Sequence, residues 1–121
     1  MEHISFADIG WHVPVGSRAD LDLATESPPD RPGRKFLVDG TAGFYTQMVR
    51  LPPGFEAPSH RHDHAEVFMV LEGSCAFNGT AMVAYDTVVV DADESYGFVA
   101  GPDGVHFLVT RQAIASFTED A

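Results

Sequence analysis

The chain has little cysteine, little basic charge and no long apolar segment. No uninterrupted apolar run approaches the roughly 18 residues that a membrane-spanning helix needs, so we expect no membrane span. The N-terminal segment MEHISFADIG has neither a basic start nor an apolar core, so we expect no secretory signal. Cys75, the single cysteine, cannot form an internal disulfide, which agrees with a reducing compartment and predicts a cytoplasmic protein.

Acidic side chains outnumber basic ones. Eighteen Asp and Glu against seven Lys and Arg give a formal net charge of −11. Such a charge repels phosphate backbones and anionic lipid surfaces, and no basic cluster interrupts it. We therefore predict neither nucleic acid nor a membrane as a partner. At 121 residues the chain has the length of one ordinary domain.

Residues 12–35 are rich in proline, charge and small side chains and hold no sustained period. Pro28, Pro29 and Pro32 exclude a regular helix near the end of this segment. The sequence predicts an irregular N-terminal arm over residues 1–35, packed either on the main domain or on a partner subunit. Residues 36–121 are then a single folded domain.

Short apolar or alternating runs of strand length make up most of the remaining chain. Turn signals separate them, and no stretch after Asp39 holds a helical period for three turns. The pattern predicts an all-β domain, a sandwich or a barrel, with a tight hairpin at Asn78-Gly79. The predicted strands cover residues 35–38, 43–51, 66–71, 74–77, 80–83, 87–90, 95–100, 105–111 and 113–117.

Residues 60–66 read HRHDHAE and hold three of the six histidines of the chain. In an extended strand alternate positions share one face, so His60, His62, His64 and Glu66 could converge there. Imidazole nitrogens and carboxylate oxygens are donors that suit divalent Fe, Mn, Ni, Co or Zn. The stretch therefore indicates a candidate metal site.

The spacing around this stretch resembles the first signature motif of the cupin superfamily, G-x5-H-x-H-x3,4-E-x6-G. Its fixed positions are matched by Gly54, His60, His62, Glu66 and Gly73. The resemblance covers roughly residues 43–111 and implies a double-stranded β-helix, the jelly-roll barrel of cupins, for most of the chain. It also implies that His60, His62 and Glu66 are the metal ligands.

The second cupin motif, G-x5-P-x-G-x2-H-x3-N, is largely lost in YDTVVVDADESYGFVA. Asp91, Asp93 and Tyr96 stand where this motif has its proline, its second glycine and its histidine ligand. Three roles remain open for Tyr96: a metal ligand, an acid or base beside the substrate, or a barrel-filling side chain. We rank the acid–base role first, and we interpret the acidic residues around position 93 as a solvated turn.

Two further histidines lie near the candidate site in sequence. His64 is a possible metal ligand, but cupins commonly have a turn between the second histidine and the glutamate, and His64 is then a rim residue. For His106, a four-residue hairpin loop over Gly101–Gly104 would set Tyr96 opposite Val109. His106 would then point away from Tyr96, on the outer face.

The barrel interior is predicted to be apolar and aromatic. Trp11 and Tyr45 either close the pocket or anchor the arm. The interior candidates are Phe44, Met48, Phe68, Val70, Phe77, Met82, Phe98 and Phe107.

These features predict a metal-dependent small cupin enzyme that holds one divalent transition metal, with Fe ranked before Zn, Ni, Mn and Co. The first predicted activity is oxygen-dependent, dioxygenase-like oxidation of a small neutral organic substrate in the barrel, because the donor set leaves open positions for substrate or O₂. The alternatives are a non-oxidative lyase or isomerase with Tyr96 as its acid or base, and a non-catalytic ligand-binding cupin. The resemblance also implies a homodimer.

Overall fold

The computed structural model describes residues 1–13, 22–113 and 117–120. In these ranges the chain forms ten strands and two short 3₁₀ helices, Phe6–Asp8 and Thr41–Gly43. The strands are β1 (His12–Val13), β2 (Asp22–Glu26), β3 (Gly33–Asp39), β4 (Tyr45–Leu51), β5 (Glu56–Arg61), β6 (Glu66–Phe77), β7 (Thr80–Val83), β8 (Thr87–Val90), β9 (Tyr96–Arg111) and β10 (Thr118–Glu119). No helix of the described residues is long and apolar enough to cross a membrane.

Strand β9 is the centre of the sheet. It pairs antiparallel with β4, β5 and β6 at different points along its 16 residues. On one side the order runs β10-β5-β9-β4-β3-β1-β2, and on the other β6 pairs with β7 and β8. A strand shared in this way curls the sheet around a common interior, which confirms the all-β jelly-roll barrel.

The long strands β6 and β9 each replace two strands that the sequence predicts. The predicted hairpin at Gly101–Gly104 is wrong, because this segment is an interruption inside β9 where the register with β6 shifts between Gly73 and Cys75. Before the interruption the inward-facing residues of β9 have even numbers, as Tyr96 and Ala100 do. After it they have odd numbers, beginning with Val105. The prediction that His106 faces outward is therefore confirmed, although the hairpin assumed for it is not.

The hairpin at Asn78-Gly79 is confirmed. Asn78 has φ 45° and Gly79 has φ 81°, and they join β6 to β7 with Phe77 opposite Thr80. Positive φ at both central residues is what a two-residue type I′ turn requires.

The core lies inside the curled sheet and is built largely from aromatic side chains. Phe68 and Val70 have no exposed surface, and the Phe68 ring stacks on Phe107 with 4.3 Å between centroids. Two interior predictions are wrong: Phe44 is 50% exposed, and Met48 lies on the outer face of β4. The inner face of β4 instead carries Gln47, Val49 and Leu51, because apolar side chains occur on both faces of that strand and leave its pattern ambiguous.

The N-terminal segment packs on the outer face of β3 and β4. Lys35 is buried there, donates from Nζ to the carbonyl oxygen of Phe6 at 2.8 Å and lies 3.8 Å from the centre of the Phe6 ring. The Arg50 guanidinium lies 4.4 Å from the centre of the Trp11 ring, so Trp11 anchors this segment. Strands β1 and β2, which the sequence did not predict, extend the sheet from β3.

Candidate active site

A cavity of about 340 Å³ opens into the barrel between β3, β4, β5 and β9. Its walls are mostly apolar, and their aromatic side chains include Phe36, Tyr45, Phe55, Phe98, Phe107 and Phe117. The polar side chains that line it deep inside are Arg34, Gln47, His60, His62, Tyr96 and Arg111. A largely apolar cavity with a few converging polar groups is the usual form of a small-molecule site.

His60 reaches the cavity from β5, where it lies opposite Tyr96 of β9. Its Nδ1 is 2.8 Å from the carbonyl oxygen of Pro58. Because a carbonyl only accepts, Nδ1 carries the proton, and Nε2 of the neutral imidazole keeps a lone pair. The Phe117 ring stacks on the His60 imidazole with 4.7 Å between centroids, so Phe117 packs against one face of that ring.

His62 lies just beyond the end of β5 and is 9% exposed. Its imidazole is edge-on to that of His60, with 4.9 Å between ring centroids. Its Nε2 is 3.3 Å from the hydroxyl oxygen of Tyr96. The backbone fixes this position, since the carbonyl of His62 accepts a hydrogen bond from the N–H of Asp93 at 2.7 Å.

Glu66 begins β6 and its side chain is 1% exposed. Its Oε2 lies 2.6 Å from Nη2 of Arg111, the residue opposite it on β9. Neither carboxylate oxygen has a well-aligned hydrogen bond from another described side chain, so the contact is an ion pair held by charge. Glu66 does not line the cavity, whereas Arg111 does.

Tyr96 is 4% exposed, and burial together with the negative charge of Glu66 raises the pKa of its phenol well above the ordinary value. The phenol is therefore protonated at neutral pH. Burial, followed by the positive charge of Arg111, lowers the pKa of Arg34 to about 10. Arg34 still carries its charge at neutral pH.

The remaining candidates of the sequence lie outside the cavity. His64 is exposed and its Nδ1 is 2.9 Å from the Asp63 carboxylate, in the turn that follows His62. His106 lies on the outer face, 3.6 Å from Glu72. The segment around Asp93 is an exposed turn, as the sequence predicted.

The donors fit a transition metal in kind, and two of the three, His60 and His62, line the cavity. His60 offers a free Nε2, and its Nδ1 donates to the Pro58 carbonyl, a contact that commonly orients metal-binding histidines. Glu66 has to exchange Arg111 for the ion before its carboxylate can bind one. Among the described residues, no three His, Cys, Asp or Glu side chains are grouped closely enough to hold a metal as they stand.

Sequence reasoning missed four side chains of the site: Arg34, Gln47, Arg111 and Phe117. Arg111 had a signal, because it continues the inward series of Val105, Phe107 and Val109 at every second position. No sequence signal pointed to Arg34, since it lies in residues 1–35, which the sequence predicts to be an irregular arm. For Phe117, the predicted strand over residues 113–117 lies largely outside the described residues.

Residues 47–110 match the family model described as a cupin domain. The chain belongs to the cupin superfamily. No curated protein matches the sequence significantly.

Solved cupin structures are similar to this cupin in fold. The polyketide cyclase RemF from Streptomyces resistomycificus is 19% identical with a TM-score of 0.76, over 100% of this chain and 86% of its own. KdgF from Halomonas sp. is 17% identical with a TM-score of 0.68, over 93% and 94% of the two chains. A cupin-2 domain from Rhodospirillum rubrum is 18% identical with a TM-score of 0.67, over 100% and 81%. At these identities the likeness shows the fold alone.

Proposed function

We propose that this cupin is an enzyme that transfers a proton, without oxidation, on a small enolisable carbonyl compound. The reaction class is isomerisation, elimination or cyclisation, with Tyr96 as the acid. The observation that carries this proposal is the position of the Tyr96 hydroxyl, which lies inside the cavity and 3.3 Å from Nε2 of His62.

The chemistry follows from a protonated phenol in a mostly apolar cavity. When a water molecule in the cavity takes the α-proton of a carbonyl substrate, negative charge develops on the carbonyl oxygen. The O–H of Tyr96 can donate a hydrogen bond or its proton to that oxygen. Such a donor stabilises the developing charge far more in an apolar cavity than in water. The apolar side chains of the wall, including Phe107 and Phe117, offer that oxygen no competing donor.

A divalent transition metal would be held by His60 and His62, with Glu66 as the third ligand once it leaves Arg111. When bound, the ion supplies a Lewis acid that polarises a carbonyl oxygen. Elemental analysis of the purified protein tests this site. We expect close to one equivalent of Fe, Zn, Ni, Mn or Co, lost in His62→Ala and retained in the matched variant His106→Ala. Equal metal content in the two variants would exclude the site.

Two of the similar structures favour non-oxidative chemistry. RemF is named a polyketide cyclase, and another similar protein from Thermotoga maritima is named a predicted oxalate decarboxylase. Polyketide chains carry repeated 1,3-dicarbonyl units, whose α-protons are acidic. Ketones, β-keto esters and 1,3-diketones are therefore the compounds to test first.

The proposal is tested by following exchange of α-protons for deuterium in D₂O by proton NMR, above the uncatalysed background. We expect Tyr96→Phe to lower the catalysed rate by about a hundredfold or more, because the hydroxyl is the acid. The matched variant Tyr85→Phe removes the hydroxyl of a tyrosine that is 75% exposed and should exchange like the wild type. Unchanged exchange in Tyr96→Phe, with metal content equal to the wild type, would remove Tyr96 from the chemistry.

Oxygen-dependent oxidation is the second candidate function. Its support is the donor set of two imidazoles and one carboxylate, which is also the set of non-haem Fe(II) oxygenases. Consumption of O₂ with a candidate substrate, lost in His62→Ala, is the result that would favour it. Iron in the purified protein would favour this candidate, whereas Zn or Ni would favour the non-oxidative one.

A further inference from the structure

Gln47 is a polar side chain on an otherwise apolar part of the inner wall. It faces inward from β4, between Tyr45 and Val49, and is 8% exposed. The residues opposite it on the neighbouring strands are Phe36 of β3 and Val109 of β9. Neither of these two side chains can donate or accept a hydrogen bond, so the packing around Gln47 does not account for an amide at this position.

The amide oxygen of Gln47 is an unpaired acceptor. Its Oε1 is buried and accepts no hydrogen bond from any residue that the structure describes. An unpaired buried acceptor costs free energy, and buried polar atoms without a protein partner are expected to pair with water or with a ligand. Because Gln47 lines the cavity, the missing donor belongs to whatever occupies the cavity.

An unpaired donor lies on the same wall. Arg111 is two residues beyond Val109, the residue opposite Gln47, so it is a diagonal neighbour of Gln47 across the strand pair. The Nε of Arg111 is buried and donates to none of the described residues, since Nη2 makes the ion pair with Glu66. One acceptor and one donor without partners match a hydroxyl group, which donates and accepts at once.

We propose that Gln47, with Arg111 beside it, binds a hydroxyl group of the substrate, so that the substrate is a hydroxylated or enolic carbonyl compound. The inference rests on the proposed function, in which Tyr96 donates to the carbonyl oxygen from another part of the same cavity. At about 340 Å³ the cavity has the size of a small-molecule site, so one compound can contact Gln47 and Tyr96 together. A site that pairs with a hydroxyl discriminates against compounds that lack it, because its own polar atoms then stay unpaired.

The experiment measures binding of 3′- and 4′-hydroxyacetophenone by isothermal titration calorimetry, each compared with acetophenone and with its own methoxy analogue. In these probes the hydroxyl is too far from the carbonyl for both oxygens to bind one metal ion. We expect at least one hydroxy compound to bind about tenfold or more tightly than acetophenone and than its methoxy analogue, which can accept but cannot donate. The preference should be the same in protein freed of metal with EDTA.

Gln47→Leu should abolish this preference and leave the affinity for acetophenone equal or higher, because leucine cannot accept a hydrogen bond. It should also be at least as stable to urea as the wild type, since it removes an unpaired buried acceptor. A variant that misfolds would instead lose all the compounds alike. The matched control is Gln112→Leu, the same substitution at an exposed glutamine that does not line the cavity, and it should keep the preference of the wild type.

The proposal is overturned if neither hydroxy compound binds more tightly than both of its comparators, in which case Gln47 and Arg111 pair with buried water only. A preference that persists in Gln47→Leu, or that disappears when the wild type is treated with EDTA, overturns it as well. Because no turnover is measured, the hydroxyl subsite stands or fails independently of Tyr96 and its chemistry.

Discussion

Glu66 and Arg111 form an ion pair that is almost closed to solvent. Their side chains are 1% and 13% exposed, and their charged atoms are 2.6 Å apart. Removing one partner of such a pair leaves the other charge buried and alone, which typically costs a few kcal/mol. The pair also holds the carboxylate that a metal would need, so it links the stability of the protein to the state of its site.

In metal-free protein we therefore expect Arg111→Met to lower the free energy of unfolding by about 3 kcal/mol. The double variant Glu66→Gln with Arg111→Met should recover most of that loss, because no buried charge is then left unpaired. Urea denaturation followed by circular dichroism measures both. A double variant that is less stable than Arg111→Met would contradict this account of the pair.

At the residue scale the sequence predicted the site where the motif is local. His60 and His62 are two positions apart and reach the cavity together, as their spacing indicates. Tyr96 was found from the missing histidine of the second motif and lies opposite His60. The partner of Glu66 was not found, because Arg111 is 45 positions further along the chain and only strand pairing brings the two together.

At the element scale the close crossing of β6 and β9 requires a glycine at position 73. Gly73 has φ +75°, and a Cβ at that position would overlap the carbonyl oxygen of Gly104 on the neighbouring strand. Gly79, in the hairpin after β6, has a similar φ of +81° but nothing within 4 Å of its Cβ position. A substitution at Gly79 therefore tests backbone strain alone, whereas one at Gly73 tests strain together with steric overlap.

We expect Gly79→Ala to cost about 1 kcal/mol of unfolding free energy, from the positive φ alone. Gly73→Ala should cost about 3 kcal/mol or more, because the overlap is with backbone that cannot turn away. Urea midpoints of the two variants give the comparison. Equal losses would mean that β6 and β9 do not approach at Gly73 as closely as described.

The sequence predicted where most strands lie, but it divided the long strands β6 and β9 into two strands each. Gly73 and the GPDG segment at 101–104 carry ordinary turn residues, so the sequence indicated strand ends there. In the structure these residues form the irregular crossing between two long strands instead, which local turn chemistry does not distinguish from a hairpin. The sequence also did not predict strands β1 and β2. Both form by pairing at the edge of the barrel, β1 with β2 and with β3, and the residues of the two strands show no alternating pattern of their own.

At the scale of the whole molecule, the barrel brings together side chains from β3, β5 and β9 that no short motif contains. The same cavity is lined by the histidine pair and by Arg34 and Arg111. Homodimerisation, which the family resemblance implies, stays a prediction that light scattering of the purified protein would test. The fold alone does not select a reaction, because cupins carry many chemistries.

If the cavity transfers protons without oxygen, deuterium exchange by the wild-type, metal-loaded protein should not depend on whether it is measured under nitrogen or under air. We expect equal α-proton exchange of a carbonyl substrate in both atmospheres, with no O₂ consumed at an oxygen electrode. Turnover that occurs only in air, with O₂ consumed in proportion to substrate, would contradict it and establish the oxygenase in its place.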